Sequence, residues 1–561
     1  MSEEKKNFNQ FAAEFQDKSR PARAYGRNYN AEKPLRNNIK ELIVALRKNR
    51  YSDWQDPKIP KIHVSSTISR MAFLYEKIRV AIDYKDEHLL RKNAIERILK
   101  RWLLEGKIET FDIRTLIMEL VRGGYLKNDS VPENVVFEVK QILEKYLNLM
   151  KQSSFLKKGE ERYALNEWIL SLLSVEIENH FFPAYEDQAL IEYAYSLLHD
   201  KVAVSEEDTD EKTKNTQLYI AIQRAVMKSD DALIRYGLFK LYYPDWETTD
   251  YSLVTEIAGH IDALKITIEN QINHPIGGLI YRQVKKYIIL LQILKDIIKE
   301  NPSRAEEILS NPNLLQEKIV KACEIRYKKA RTKLSRSTFR SVIYILLTKT
   351  VLAFVLELPY DVLIYNTVHL TALITNIVFH PLLLIFIAAN IYIPAKKNTE
   401  KVVEAIRGMI YADEKEFIFA IFKKPIKRRK GWNFVFNLLY LFVFTISFGA
   451  IIYVLRRFEF NAASIFLFLL FLCVVSFFGI KNRETMRELI IIDKKRGFIG
   501  SLLDFFTLPI IRMGRWLSVK APKINVFTFV LDFIVEAPFK IFVEVLDEWM
   551  NFIKEKKEEI Y

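Results

Sequence analysis

The chain has 561 residues, 50% hydrophobic and 27% charged, with Phe 38, Tyr 27 and a formal net charge of +15. That mixture excludes a membrane bundle alone and indicates a water-facing part joined to a lipid-facing part. The only cysteines are Cys323 and Cys473, which excludes a disulfide framework and a cysteine-based metal site.

The first residues, MSEEKKNFNQ, lack the apolar core of a cleavable signal peptide, so insertion is expected to begin at an internal span. Residues 1–60 read as a flexible basic leader, in which Arg20, Arg23 and Arg27 alternate with Tyr25 and Tyr29 and prolines interrupt regular structure. Only 37–49 carries a helical repeat there. Arginines beside aromatics can stack on bases, but most positive residues crowd the flanks of apolar segments, where anionic lipid accounts for them more simply than nucleic acid.

Residues 61–338 predict an all-α cytoplasmic domain, an irregular bundle or an irregular helical repeat, because no strand-type alternation persists and no fixed period emerges. Leu90, Ala94, Ile98 and Trp102 form one apolar stripe at helical spacing, with Lys and Arg opposite. The acidic run 205–215 reads as a solvated loop and a point of subdivision. The helix starting near Asn313 is expected to run through Tyr327 and Lys333 straight into the first span.

Residues 339–482 predict four transmembrane helices: from Ser341, from His369 to Ile393, from Asn433 to Leu455 and from Ala463 to Ile480. A hydrocarbon core about 30 Å thick needs roughly 20 apolar residues, and segments three and four contain no Asp, Glu, Lys or Arg. The stretch DVLIYN, which starts at Asp361, reads as the turn between the first two.

Lys and Arg cluster before segment one, in the loop 395–432 between two and three, and after segment four, while the other connections hold few. The chain therefore reads as a multi-pass protein of the cell (inner) membrane with both termini cytoplasmic. Lys423, Lys424, Lys427, Arg428, Arg429 and Lys430 are the expected contacts for anionic headgroups.

Residues 483–561 read as amphipathic interfacial helices. Within them 524–546 is apolar enough to span were it not for Asp532, Glu536, Lys540 and Glu544, which recur every four residues on one face.

No phosphate loop, dinucleotide fingerprint, HExxH, GxSxG or paired CxxC occurs, so no enzyme chemistry, cofactor or metal is expected. Ionisable and polar residues at bilayer depth remain: Lys349, Glu357, His369, Asn376 and His380, with Pro359 and Pro381 beside two of them. A charge there costs about 2.5–3.5 kcal/mol on insertion scales, so these groups are expected to face a partner or a cavity. The expected function is a non-enzymatic scaffold or interaction protein that docks a protein partner, or a second copy, at the membrane. The alternative is a channel, transporter or proton-coupled component using the polar residues of spans one and two.

Overall fold

The computed structural model describes residues 33–47, 60–64, 86–106, 112–154, 157–200, 210–248, 251–366, 369–394, 396–412, 430–491 and 498–520, with 76, 545 and 549 as single positions. Among them the chain is all-helical apart from two isolated bridges, Leu35 with Tyr411 and Lys61 with Pro132.

Local chemistry starts several helices. The side chains of Asp112, Asp210 and Asp230 accept from backbone amides of the first turn at Ile113–Arg122, Glu211–Val226 and Asp231–Tyr242. Asn311 caps Pro312–Leu352, with Pro312 at the first helical position, where its missing N–H costs nothing.

The buried residues ahead of the spans form two cores. One is built from Ile62 to Phe181 together with Ala232 to Ile272. The other combines Leu35 to Leu46, Ala189 to Leu198 and Ile276 to Cys323 with Val402 to Tyr411. The reading of 1–60 as a flexible leader does not hold for 33–47, since Ile39, Leu42 and Ile43 of the Asn37–Arg47 helix are buried. Nor is 395–432 a loop throughout. Lys396–Ile410 is a helix whose Val402, Ile406 and Ile410 enter the second core. Arg36 N donates to Ile410 O at 3.0 Å and Ala412 N to Pro34 O at 3.2 Å, clasping the two segments.

Two further expectations change. The acidic run 205–215 is helical from Glu211, because Asp210 provides a cap; 205–209 lies outside the described residues. The stripe on Glu87–Leu104 is phased on Leu89, Ile95 and Leu99 as well as Ala94, Ile98 and Trp102, leaving Leu90 only half-buried. Lys92 falls on the buried face, where its ammonium donates to Glu96 at 3.0 Å and Asp230 at 2.8 Å. Paired in this way, a buried lysine is tolerated.

Buried carboxylates in the first core are likewise satisfied. Glu176 accepts from Lys145 at 2.8 Å, Tyr146 at 2.7 Å and Trp246 at 2.7 Å. Glu178 Oε1 accepts from Arg91 Nε at 3.1 Å and Nη2 at 2.9 Å. Burial nevertheless pushes the Glu178 carboxyl up to about 7, against the pull of Arg91. The unfolded chain, with the ordinary value of 4.5, releases this proton first, so this group's contribution to stability falls as pH rises from about 4.5 to about 7 and is level above. Glu178→Gln is expected to flatten the decline in unfolding free energy over that interval, measured by denaturant titration; an unchanged slope counts against the assignment.

Among the described residues four helices are long and apolar enough to cross a membrane: Pro312–Ile364, Leu370–Ala389, Phe434–Arg457 and Ala462–Arg483. Their large apolar side chains point outward, among them Leu363, Phe386, Phe434, Phe442 and Phe466, as a lipid solvent allows. Spans one, two and four pack together, and a Cβ at Gly479 of span four would stand 2.6 Å from Ile387 of span two. The stretch read as a turn continues span one instead. Ala353–Glu357 and Asp361–Tyr365 are π-helical, and the chain reverses at Asn366, whose φ is 50°.

The fourth helix continues to Arg487, so 483–487 belongs to it. Phe498–Lys520, expected at the interface, packs on spans three and four well inside their length. Ser447 Oγ donates to Phe506 O at 3.0 Å, and a Cβ at Gly514 would lie 2.0 Å from the Cys473 carbonyl oxygen. Only a glycine permits that approach. The segment 524–546 lies outside the described residues, apart from position 545.

Candidate functional site

The site is built where span one leaves α-helical geometry. Lys349, Ala353, Glu357 and Asp361 are spaced by four, and all four are buried. In a helix of 3.6 residues per turn that spacing drifts steadily around the axis. The wider π-helical turns at Ala353–Glu357 and Asp361–Tyr365 counter the drift and keep the groups on one face.

Asn376 of span two links the two charges. Lys349 Nζ donates to Asn376 Oδ1 at 2.5 Å, and Asn376 Nδ2 donates to Glu357 Oε1 at 2.5 Å. Lys349 and Glu357 are eight positions apart, a rise of about 12 Å at 1.5 Å per residue, so the long lysine and the amide together cover the gap. The lysine ammonium also lies 4.5 Å from the Phe471 ring centroid of span four.

Span four completes the arrangement. Ser464 Oγ donates to Glu357 Oε2 at 3.1 Å, Asn461 Nδ2 donates to Asp361 Oδ1 at 2.5 Å, and Asn461 Oδ1 accepts from Ser464 N at 2.7 Å. The last contact caps the helix that opens at Ala462, so one asparagine both starts span four and holds an acid of span one.

His380, one turn beyond Asn376, is fully buried between two backbone carbonyls. Its Nδ1 lies 3.2 Å from Asn376 O and its Nε2 3.0 Å from Phe468 O. Both neighbours are acceptors, so a neutral ring satisfies one and a doubly protonated ring both. Phe379, Phe468 and Phe471 surround it edge-on.

Of the residues expected from sequence, Lys349, Glu357, Asn376 and His380 converge. His369 does not. It sits at the tip with Nδ1 3.2 Å from Glu459 Oε2, partly exposed. Sequence reasoning missed Asp361, Asn461 and Ser464, which lie at the ends of spans, where a polar residue usually reads as hydrated. The four-residue step from Glu357 to Asp361 was the available signal. Of the expected headgroup contacts, Lys423, Lys424, Lys427, Arg428 and Arg429 lie outside the described residues, and Lys430 opens the helix of span three.

Among the described residues no group of three His, Cys, Asp or Glu side chains could hold a metal ion. The arrangement is thus a continuous chain of donors and acceptors across three spans, able to fix their register or to pass a proton between neighbours. Among the described residues the fold and site define an all-helical protein with four candidate membrane spans and a buried polar seam. No family model, curated protein or solved structure matches it.

Proposed function

We propose that this chain is an integral membrane scaffold whose helical domain binds a partner protein at the cytoplasmic face. The observation that carries the reading is the continuous Pro312–Leu352 helix, which is buried at both ends. Leu315, Ile319 and Cys323 lie in the domain core, and Ile345 and Lys349 lie among the spans. A second tie, Lys396–Ile410, joins the same core directly after span two, so the domain is held in one pose against the bundle. Supporting the cytoplasmic orientation are the basic flanks before span one and between spans two and three. The same flanks suit anionic headgroups.

A second reading, a proton-coupled transport component, is favoured by one observation: the buried seam from Lys349 through Asn376 and Glu357 to Ser464. Two arms separate the readings. In affinity purification from mild detergent, the scaffold should keep its partner when Lys349→Met and Glu357→Gln are combined. It should lose that partner on Phe137→Glu or Ile266→Glu, at apolar side chains exposed on the domain. In proteoliposomes, a proton flux abolished by Glu357→Gln would transfer the assignment to transport.

A further inference from the structure

The helix that carries the first span has two sides with different surroundings. Leu334, Thr338, Val342, Ile345 and Lys349, at steps of three or four, are half-buried or buried. At about 100° per residue, the row Lys329, Lys333, Arg336 and Arg340 falls almost opposite them, and all four of its side chains are exposed. Among the described residues none of the four takes a side-chain hydrogen bond or an ion pair. The sequence holds no Asp or Glu between Glu324 and Glu357, so nothing along this stretch of helix neutralises the row.

Beyond Arg340 the same row continues as Tyr344, Leu347 and Val351, which are 70%, 61% and 60% exposed. One face thus passes without a break from four cations to apolar side chains at bilayer depth. An acidic protein or a nucleic acid would match the cations but not their apolar continuation. A phospholipid matches both, with its phosphate on the basic part and its tails on the apolar part.

Length narrows the choice of lipid. Lys329 and Arg340 are eleven positions apart, about 16 Å along the axis, whereas the headgroup layer of one leaflet is only about 5–7 Å deep. A headgroup with a single phosphate engages Arg340 and Arg336 and falls short of Lys333 and Lys329. We propose that this row binds a phospholipid whose headgroup carries further phosphate groups beyond the one that links it to the tails. The arginines, whose planar forks hold a phosphate bidentately, stand at the membrane end, and the lysines reach the projecting phosphates as point charges. The proposal rests on the membrane placement and headgroup contacts of the reading above, and not on the scaffold's protein partner.

The test titrates the full-length protein in neutral detergent with short-chain phosphatidylinositol bisphosphate, reading binding by thermophoresis. Short-chain phosphatidylserine, phosphatidylcholine, free inositol trisphosphate and a polyglutamate peptide are the comparators. The bisphosphate lipid is expected to bind saturably, and phosphatidylserine at matched charge at least about tenfold more weakly. Lys329→Gln combined with Lys333→Gln should weaken the bisphosphate lipid about tenfold or more. Lys328→Gln combined with Arg331→Gln removes the same charge from exposed positions off the row and should change binding less than about threefold. An unaltered melting temperature of the lipid-free variants shows that folding is retained. No saturable binding by wild type, phosphatidylserine as tight at matched charge, or equal weakening by the two double variants overturns the proposal. Inositol trisphosphate as tight as the lipid reassigns the row to a free phosphate compound, and polyglutamate binding in place of the lipid reassigns it to an acidic protein. A protein that stays in solution without detergent removes the membrane placement itself, whereas a detergent-requiring protein with no lipid preference sinks this proposal alone.

Discussion

Lys349→Met should destabilise the bundle by about 3–5 kcal/mol, the usual cost of leaving one member of a buried charged pair without its counterpart. The substitution keeps the length and packing of the side chain while removing the ammonium that donates to Asn376. Glu357, 1% exposed, would then be held only by Asn376 and Ser464. Combining Lys349→Met with Glu357→Gln removes both charges and keeps an amide to exchange hydrogen bonds with Asn376. The double variant should therefore be more stable than Lys349→Met alone, in a non-additive cycle. Denaturant unfolding in micelles reads both. A single variant as stable as wild type, or a double variant that loses the sum of the singles, would sink the view that the two charges act as one unit through the amide.

Ile406→Asp is the second large effect, with an expected loss of about 4 kcal/mol or more. It introduces a charge with no partner at a position that is 0% exposed, in the core that Ile39, Ile293 and Ile319 share. The Lys396–Ile410 helix should then detach and unwind, giving trypsin the extended backbone it needs to cleave at Lys396, Lys397, Lys401 and Arg407. Lys401→Glu is the matched control. Its side chain is exposed and, among the described residues, pairs with Glu404, so the change should fall within about 0.5 kcal/mol and add no protection or cleavage elsewhere. Protection of the Ile406→Asp variant equal to wild type would remove this helix from the core.

The spans were legible because each is a single uninterrupted apolar run whose meaning does not depend on the rest of the chain. Lys349, Glu357, Asn376 and His380 stood out for the complementary reason that a polar group in such a run has few bland explanations. What could not be read was pairing across distance. Asn461 meets Asp361 from 100 positions away, and no local pattern announces it. Lys396–Ile410 was hidden differently. Its charges dominate the composition of the loop, while Val402, Ala405, Ile406 and Met409 form a buried face that periodicity would have found had the window been narrowed to that stretch. At Glu87–Leu104 a strict step of four from Ala94 reaches Leu90, whereas the buried face of a 3.6-residue helix runs through Leu89, Lys92 and Ile95.

From Glu324 to Tyr344 no residue of the long first-span helix is buried, and no glycine or proline interrupts the chain between Asn313 and Leu358. The segment joining Cys323 to Lys349 is 26 residues long, about 39 Å at 1.5 Å per residue, and has no built-in joint. With no swivel along its length, the seating of Cys323 in the domain core sets the angle at which Lys349 meets its amide acceptor.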